Sequence, residues 1–340
     1  MRKKALKKGL FLRPHFKTHQ SVCIGNFFRK YGINAITVSS VSMAEYFKRK
    51  GWDDITIAFP VNVRETDKIN LLSKNSEINL LTENLEAVRH LKKKLKNKVG
   101  IFIKIDTGYH RTGVNFGNIE LIKKIIKEIK NSNLYFKGFL THSGHTYYAK
   151  SKKEIININD DTNRKLNLLK KLFFKDYPNI ILSTGDTPSC TIAENFEGID
   201  EIRPGNFVFY DVKMLSLGIC KEKNIAVCLA CPVAAKHKSR NEIIIYGGSI
   251  HLSKDYITNS SGTNSYGLIV KLYNKGWSKS YRNCFVKSLS QEHGILKVSK
   301  KLFNELNIGD LIGILPVHSC LTANAMKGYY TFEGSFIDHM

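Results

Sequence analysis

No apolar run of this 340-residue chain approaches the roughly 18–20 residues that a membrane helix needs. No GxGxxG motif opens a helix, which argues against a dinucleotide-binding open sheet. Zinc-finger, RNP and basic-zipper patterns are missing, as are internal repeats and low-complexity linkers. The seven cysteines are odd in number and scattered, so they do not form a disulfide framework. Acidic residues are scarce, with 29 Asp and Glu against 53 Lys and Arg and a net charge of +24. Such an excess attracts polyanions, but the lysines are spread along helix-like stretches such as 91–98 and 121–130. They read as solvated faces, and no nucleic-acid partner is expected. The basic start resembles the first part of a signal peptide. The apolar stretch after it is too short, and residues 13–19 interrupt it. A cytoplasmic protein without a membrane partner is expected.

What is present is an ordinary globular balance, 42% hydrophobic and 24% charged, enough for a sizeable core. Apolar runs at 10–17, 34–40, 54–60, 77–82, 99–106, 136–144, 180–185 and 201–211 alternate with amphipathic segments such as 43–50, 85–95, 119–129 and 163–174. Eight strands interleaved with helices predict an α/β fold, a (β/α)8 TIM-type barrel over residues 1–214. From 215 to 340 the runs are short and separated by Gly, Asn, Ser and Lys clusters, with one helical segment at 300–306. This predicts a mostly β C-terminal domain. Cys228 and Cys231 have metal or redox spacing. They have no second pair and sit in an apolar run, so two buried strand cysteines are expected.

Polar residues gather at the carboxyl ends of the proposed strands, where a barrel carries its active site. Lys17 ends the first strand among Arg13, His15 and His19. Nearby cations and partial burial lower a lysine pKa and free the amine for a Schiff base. The turns around Thr187 and around Gly205 and Asn206 are small-residue punctuation, or else a phosphate cradle. A Schiff-base lysine and a phosphate cradle on one rim point to pyridoxal 5'-phosphate (PLP). Farther on, His318 and Cys320 come after the apolar run 311–315. Residues i and i+2 of a strand share a face. The two are therefore either a buried pair or two ligands of one zinc ion with open positions left over.

Together the segments LRPHFKTHQ, HSGHTY, STGDTPS, EIRPGNFVFYD and PVHSCLTAN resemble the D-serine dehydratase / D-threonine aldolase family. These are fold-type III PLP enzymes related to alanine racemase. The resemblance spans nearly the whole chain and implies a homodimer. It implies that Lys17 holds PLP, that Arg203 faces the pyridine nitrogen, and that Thr187, Gly205 and Asn206 bind the phosphate. It places His142 and Tyr147 near the cofactor, matches Arg111 to a fifth-strand arginine, and makes His318 and Cys320 the metal ligands. The implied activity is a PLP- and zinc-dependent lyase on a β-hydroxy D-amino acid, most of all dehydration of D-serine to pyruvate and ammonia. The alternative is a D-threonine or 3-hydroxy-D-amino-acid aldolase, with manganese possible. Cys320 favours dehydration and zinc, since the aldolases of this family carry an aspartate there. A non-catalytic PLP carrier is the non-enzyme alternative, and it has no use for His318 and Cys320. Family members have a further strand before the lysine motif that joins the C-terminal domain. Because Lys17 lies near the start of this chain, either the start is placed too late or that strand is lost, and with the loss an unpaired edge is expected in the β domain.

Overall fold

The computed structural model describes residues 1–259 and 262–340. The chain divides into two compact units, Met1–Gly205 with Met340, and Asn206–His339. The division lies a few residues before the boundary drawn from composition, because Asn206 and Asp211 already bond within the second unit.

The first unit is the expected barrel. Its eight strands are β1 (Phe11–Leu12), β2 (Ala35–Val38), β3 (Asp54–Pro60), β4 (Glu77–Thr82), β5 (Val99–Asp106), β6 (Leu134–Leu140), β7 (Ile181–Thr184) and β8 (Glu201–Ile202). All pair in parallel, in sequential order around the sheet. A single parallel bridge between His15 and Thr37 joins the two ends, with the Thr37 N–H donating to the Pro14 carbonyl at 2.9 Å. The strands are nearly uniformly apolar because a barrel strand is covered on both faces; β5 is buried from Val99 to Ile105.

The helices follow from capping and stripe. Helix α1 (Ile119–Ile129) buries Ile122, Ile125, Ile126 and Ile129, an i, i+3, i+4, i+7 stripe. Its lysines at 123, 124 and 127 face solvent. Asn118 caps it by accepting the Leu121 N–H. Ser21, Ser40, Asn84, Ser151 and Asp186 do the same for other barrel helices.

The second unit is built around six antiparallel strands, with three two-stranded ribbons besides: β9 (Leu229–His237), β10 (Glu242–Tyr246), β11 (Gly267–Val270), β12 (Phe285–Leu289), β13 (His293–Lys297) and β14 (Leu311–Pro316). They close into a barrel in the order β9-β10-β13-β12-β11-β14. The unpaired edge expected here is therefore absent, because β14 pairs with both β9 and β11. Leu229, Cys231 and Val233 alternate inward along β9 and meet Ile243, Ile245, Leu296, Ile312 and Ile314 in the core. The Cys228 and Cys231 thiols are free, and burial pushes both up to about 12. Among the described residues no helix is long and apolar enough to cross a membrane.

Candidate active site

After β1 the chain makes a short helical turn, Phe16–Thr18. Phe16 is fully buried, with its ring 5.0 Å from Trp52, 5.1 Å from Phe47 and 5.2 Å from Phe28. That anchor leaves the next residue, Lys17, exposed on the rim. The partial burial expected of Lys17 is thus not found. Nor do its sequence neighbours all crowd it with charge. Arg13 turns into the barrel, where its Nε donates to Glu201 at 2.6 Å and its other end pairs with Asp54. His19 packs on the Phe16 ring at 4.4 Å. His15 does stay with Lys17, its Nδ1 accepting the Lys17 N–H at 3.4 Å. Burial and then the Lys17 charge hold His15 well below the usual histidine range.

His142 lies just after β6, and its Nδ1–H donates to the Gly185 carbonyl at 2.8 Å. Burial and again the Lys17 charge push it well below 6.5. The ring is therefore neutral, with its proton on Nδ1 and a lone pair on Nε2. The Tyr147 hydroxyl accepts the Thr187 N–H at 3.3 Å, and the Tyr147 ring lies 6.4 Å from His142. Gly185 has φ +149°, and a Cβ there would lie 2.5 Å from the Arg203 backbone nitrogen. Only glycine fits.

Arg203 is buried, with its Nε donating to Ser183 Oγ at 2.6 Å and Nη2 donating to the Thr141 carbonyl. Burial lowers it to about 10, against the pull of Glu201. Glu201 reaches it through Ser183, which donates to Glu201 at 2.6 Å.

Two details fit a phosphorylated aldehyde cofactor. The Thr187 hydroxyl is buried and has no hydrogen-bond partner among the described residues, and a buried polar group without a partner is costly. A Cβ on Gly205 would come within 2.8 Å of Thr18 Oγ1 and 3.0 Å of the His15 carbonyl. The Gly205 turn therefore packs directly on the turn that bears Lys17. Lys17, His142, Tyr147, Thr187, Arg203 and Gly205 thus gather on one rim.

Arg111 stands farther out, exposed, with its guanidinium 4.9 Å over the Tyr109 ring. Lys104, on β5, is not among the residues that the sequence pattern singles out. It is buried and lowered to about 7, first by desolvation and then by Arg203 and Arg111. The one signal for it is a lone lysine within the apolar stretch VGIFIKID.

Asn206 departs from expectation. Its amide nitrogen donates to Asp211 at 2.7 Å, to Ser319 Oγ at 3.0 Å and to Cys320 Sγ at 3.6 Å. Its side-chain donor is committed within the second unit.

His318 and Cys320 do not extend a strand. The strand β14 ends at Pro316, and His318 is the N-cap of helix α2 (Ser319–Met326), with Cys320 in the first turn. Alternation along a strand is therefore not what relates them. They meet all the same, because an N-cap residue and the first helical turn are adjacent. The His318 ring is within hydrogen-bond reach of Cys320, and its Nδ1 bonds to Asp255 Oδ2 at 2.6 Å. Burial lowers the His318 pKa, but Asp255 and Cys320 outweigh it and raise the ring to about 10. An imidazole and a thiol form a donor set suited to zinc. Among the described residues no group of three or more His, Cys, Asp or Glu converges as a metal cage. The pair therefore fits only an ion that keeps positions open for other ligands.

Comparison with known proteins agrees with this geometry. The alanine racemase N-terminal domain family matches residues 1–212, and the serine dehydratase domain matches residues 226–332. The D-serine dehydratase of Dictyostelium discoideum is 29% identical over 98% of this chain and 89% of its own length. The structure of D-threo-3-hydroxyaspartate dehydratase from Delftia sp. HT23 superposes with a TM-score of 0.91 at 23% identity, covering all of this chain and 92% of the other. A cysteine-to-alanine mutant of D-threo-3-hydroxyaspartate dehydratase, described as the metal-free form, superposes with a TM-score of 0.92 at 23% identity and the same coverage. The chain belongs to the alanine racemase N-terminal domain family and, within it, to the D-serine dehydratase and D-threonine aldolase group of fold-type III enzymes.

Proposed function

We propose that the chain is a PLP-dependent lyase that dehydrates a β-hydroxy D-amino acid, D-serine above others, to a keto acid and ammonia. The observation that carries this reading is the packing of the Gly205 turn on the Lys17 turn, on the rim that also bears the unpartnered Thr187 hydroxyl. PLP, when bound, supplies an electron sink for charge released at Cα. The Thr187 hydroxyl and the backbone N–H groups of Gly205 and Asn206 bind its phosphate. Arg203, oriented by Ser183 and the Thr141 carbonyl, donates to its ring nitrogen. Lys17 Nζ would hold the cofactor, and as the neutral amine it would serve as the general base for the Cα proton. Neutral His142 is held by Gly185 so that Nε2 can accept a hydrogen bond, and Tyr147 fixes the start of the Thr187 helix.

His318 and Cys320 hold one divalent ion, zinc by the softness of the thiolate. Such an ion would supply Lewis-acid chemistry for a β-hydroxyl leaving group. The relatives named above are dehydratases, which supports elimination over carbon–carbon cleavage.

The test is incubation of the PLP- and zinc-loaded protein with D-serine and D-threonine, followed by product identification. Pyruvate from D-serine is expected. Glycine and acetaldehyde from D-threonine, without pyruvate from D-serine, would reassign the protein as an aldolase. No turnover of either would overturn both readings.

A further inference from the structure

The loop before β11 contains a backbone conformation that side-chain-bearing residues avoid. Ser253, just past the short helix Ser249–Leu252, has φ 68° and ψ −177°. This is a region populated essentially by glycine, and an outlier of this kind points to a job the surroundings enforce. Two anchors enforce it. Leu252 before it is fully buried, and the Ser253 N–H donates to the Ser249 carbonyl at 2.9 Å. The Ser253 hydroxyl in turn accepts the Asp255 N–H at 3.1 Å. The residue delivered by this strained turn is Asp255, whose Oδ2 stands 2.6 Å from His318 Nδ1.

We infer that Asp255 is the positioning residue of the His318–Cys320 ion site, an inference that rests on the metal reading above. To ligate an ion the imidazole gives up one of its two N–H protons, and a carboxylate at Nδ1 keeps the remaining one there. The lone pair is then on Nε2, the nitrogen left for an ion shared with Cys320. The same hydrogen bond fixes the plane of the ring and makes Nε2 a stronger donor. With only two protein ligands, the site depends heavily on such support. Without Asp255 the ring is free to rotate and to place its proton on either nitrogen, and ion binding must first restore the competent arrangement. Asp255 touches the ligand and not the ion, so its effect belongs to metal affinity and leaves PLP binding alone.

The experiment uses the full-length PLP-loaded protein and its Asp255→Ala and Asp255→Asn variants. Zinc affinity is read by competition with a chromophoric chelator, and bound zinc by elemental analysis. PLP content and melting temperature serve as controls. Asp255→Ala is expected to weaken zinc by about 10- to 100-fold. Asp255→Asn, which keeps an acceptor but not the charge, should fall between it and the wild type. PLP content should stay unchanged in both.

Cys320→Ala separates the two layers of argument. If it loses the zinc while Asp255→Ala binds zinc as tightly as the wild type, the inference fails and the metal reading stands. If the wild type binds no zinc, or Cys320→Ala keeps all of it, the metal reading fails and the inference with it.

Discussion

In the barrel, every candidate side chain comes after the end of a strand: Lys17 after β1, Arg111 after β5, His142 and Tyr147 after β6, Thr187 after β7, and Arg203 and Gly205 after β8. In the β unit, His318 and Cys320 stand instead at the start of a helix, and Asp255 comes to them from a loop 63 residues earlier. The barrel imposes one rule, that the residues just past a strand lie on the functional rim. The antiparallel barrel imposes none, and each of its functional residues is placed by a local device. Damage to the barrel rim should therefore abolish the cofactor site as a whole. Damage in the β unit should remove one function and leave the rest.

The largest effect is expected at Lys17. Lys17→Ala should lower turnover by about 100- to 10,000-fold, the usual worth of a general base. It should also remove the PLP adduct trapped by borohydride reduction and located by peptide mass spectrometry. An adduct on Lys104 in the wild type would overturn the assignment and make the buried amine the anchor. Next comes the ion site. His318→Ala or Cys320→Ala should cut dehydration by roughly a hundredfold or more while PLP content holds at the wild-type level. Loss of PLP along with zinc would erase the contrast between the two units.

Legibility in the sequence divides along the same line. The rim is readable because a (β/α)8 pattern converts position after a strand into position on the rim, so Lys17 and Thr187 can be singled out without coordinates, whereas Arg203 is reached through the family resemblance. Lys104 cannot, because strands buried on both faces lose the alternation that tells inward from outward. In the β unit, the apolar run 311–315 continues into Val317 and looks like a longer strand. The helix Ser319–Met326 buries little beyond Ser319, Thr322 and Ala323, so it shows no clear amphipathic period. Asn206 illustrates the limit. Its adjacency to Gly205 suggests the phosphate cradle, whereas its partners Ser319 and Cys320 lie 113 and 114 residues away. The closed β barrel is equally hidden, because pairing of β14 with both β9 and β11 depends on register rather than composition.

Asp186 tests how much the rim's buried polar groups cost. It caps the helix Thr187–Ile192, accepting the Ser189 N–H at 2.7 Å and the Thr146 hydroxyl at 2.9 Å. Burial outweighs those bonds and pushes its carboxyl up from 3.8 to about 6. The folded state thus holds a proton that the unfolded state has released. The Asp186 contribution is full below about pH 4 and is lost as pH rises to about 6, by up to about 3 kcal/mol. Asp186→Asn keeps the cap but cannot ionise. In urea titrations of the apo protein its stability relative to wild type should rise across that window and level off above it. A flat difference would mean that water or the neighbouring N–H groups solvate the ionised carboxylate.

Thr187→Val keeps the shape and deletes the unpartnered hydroxyl. Loss of one hydrogen bond to a charged phosphate should weaken PLP by about 1.5–3 kcal/mol, read as a shift in the PLP titration midpoint. Zinc affinity should not move. Unchanged PLP affinity would place the phosphate away from this turn.

The smallest effect separates the two cysteine motifs of the β unit. Cys228 and Cys231 have the closer resemblance to a metal motif in sequence, yet both thiols are pushed up to about 12 by burial. Cys231 packs in the apolar core with Leu229 and Val233. The thiolate is the form that binds metal, and burial disfavours it at both positions. Cys320 is only partly buried and stands beside an imidazole held by a carboxylate. The double variant Cys228→Ala/Cys231→Ala should therefore retain the wild-type zinc content and zinc affinity. It should lose about 1 kcal/mol of stability per buried sulfur, a typical core truncation, seen as a small drop in melting temperature. A loss of zinc in this variant with none in Cys320→Ala would move the ion from the helix start to the strand pair.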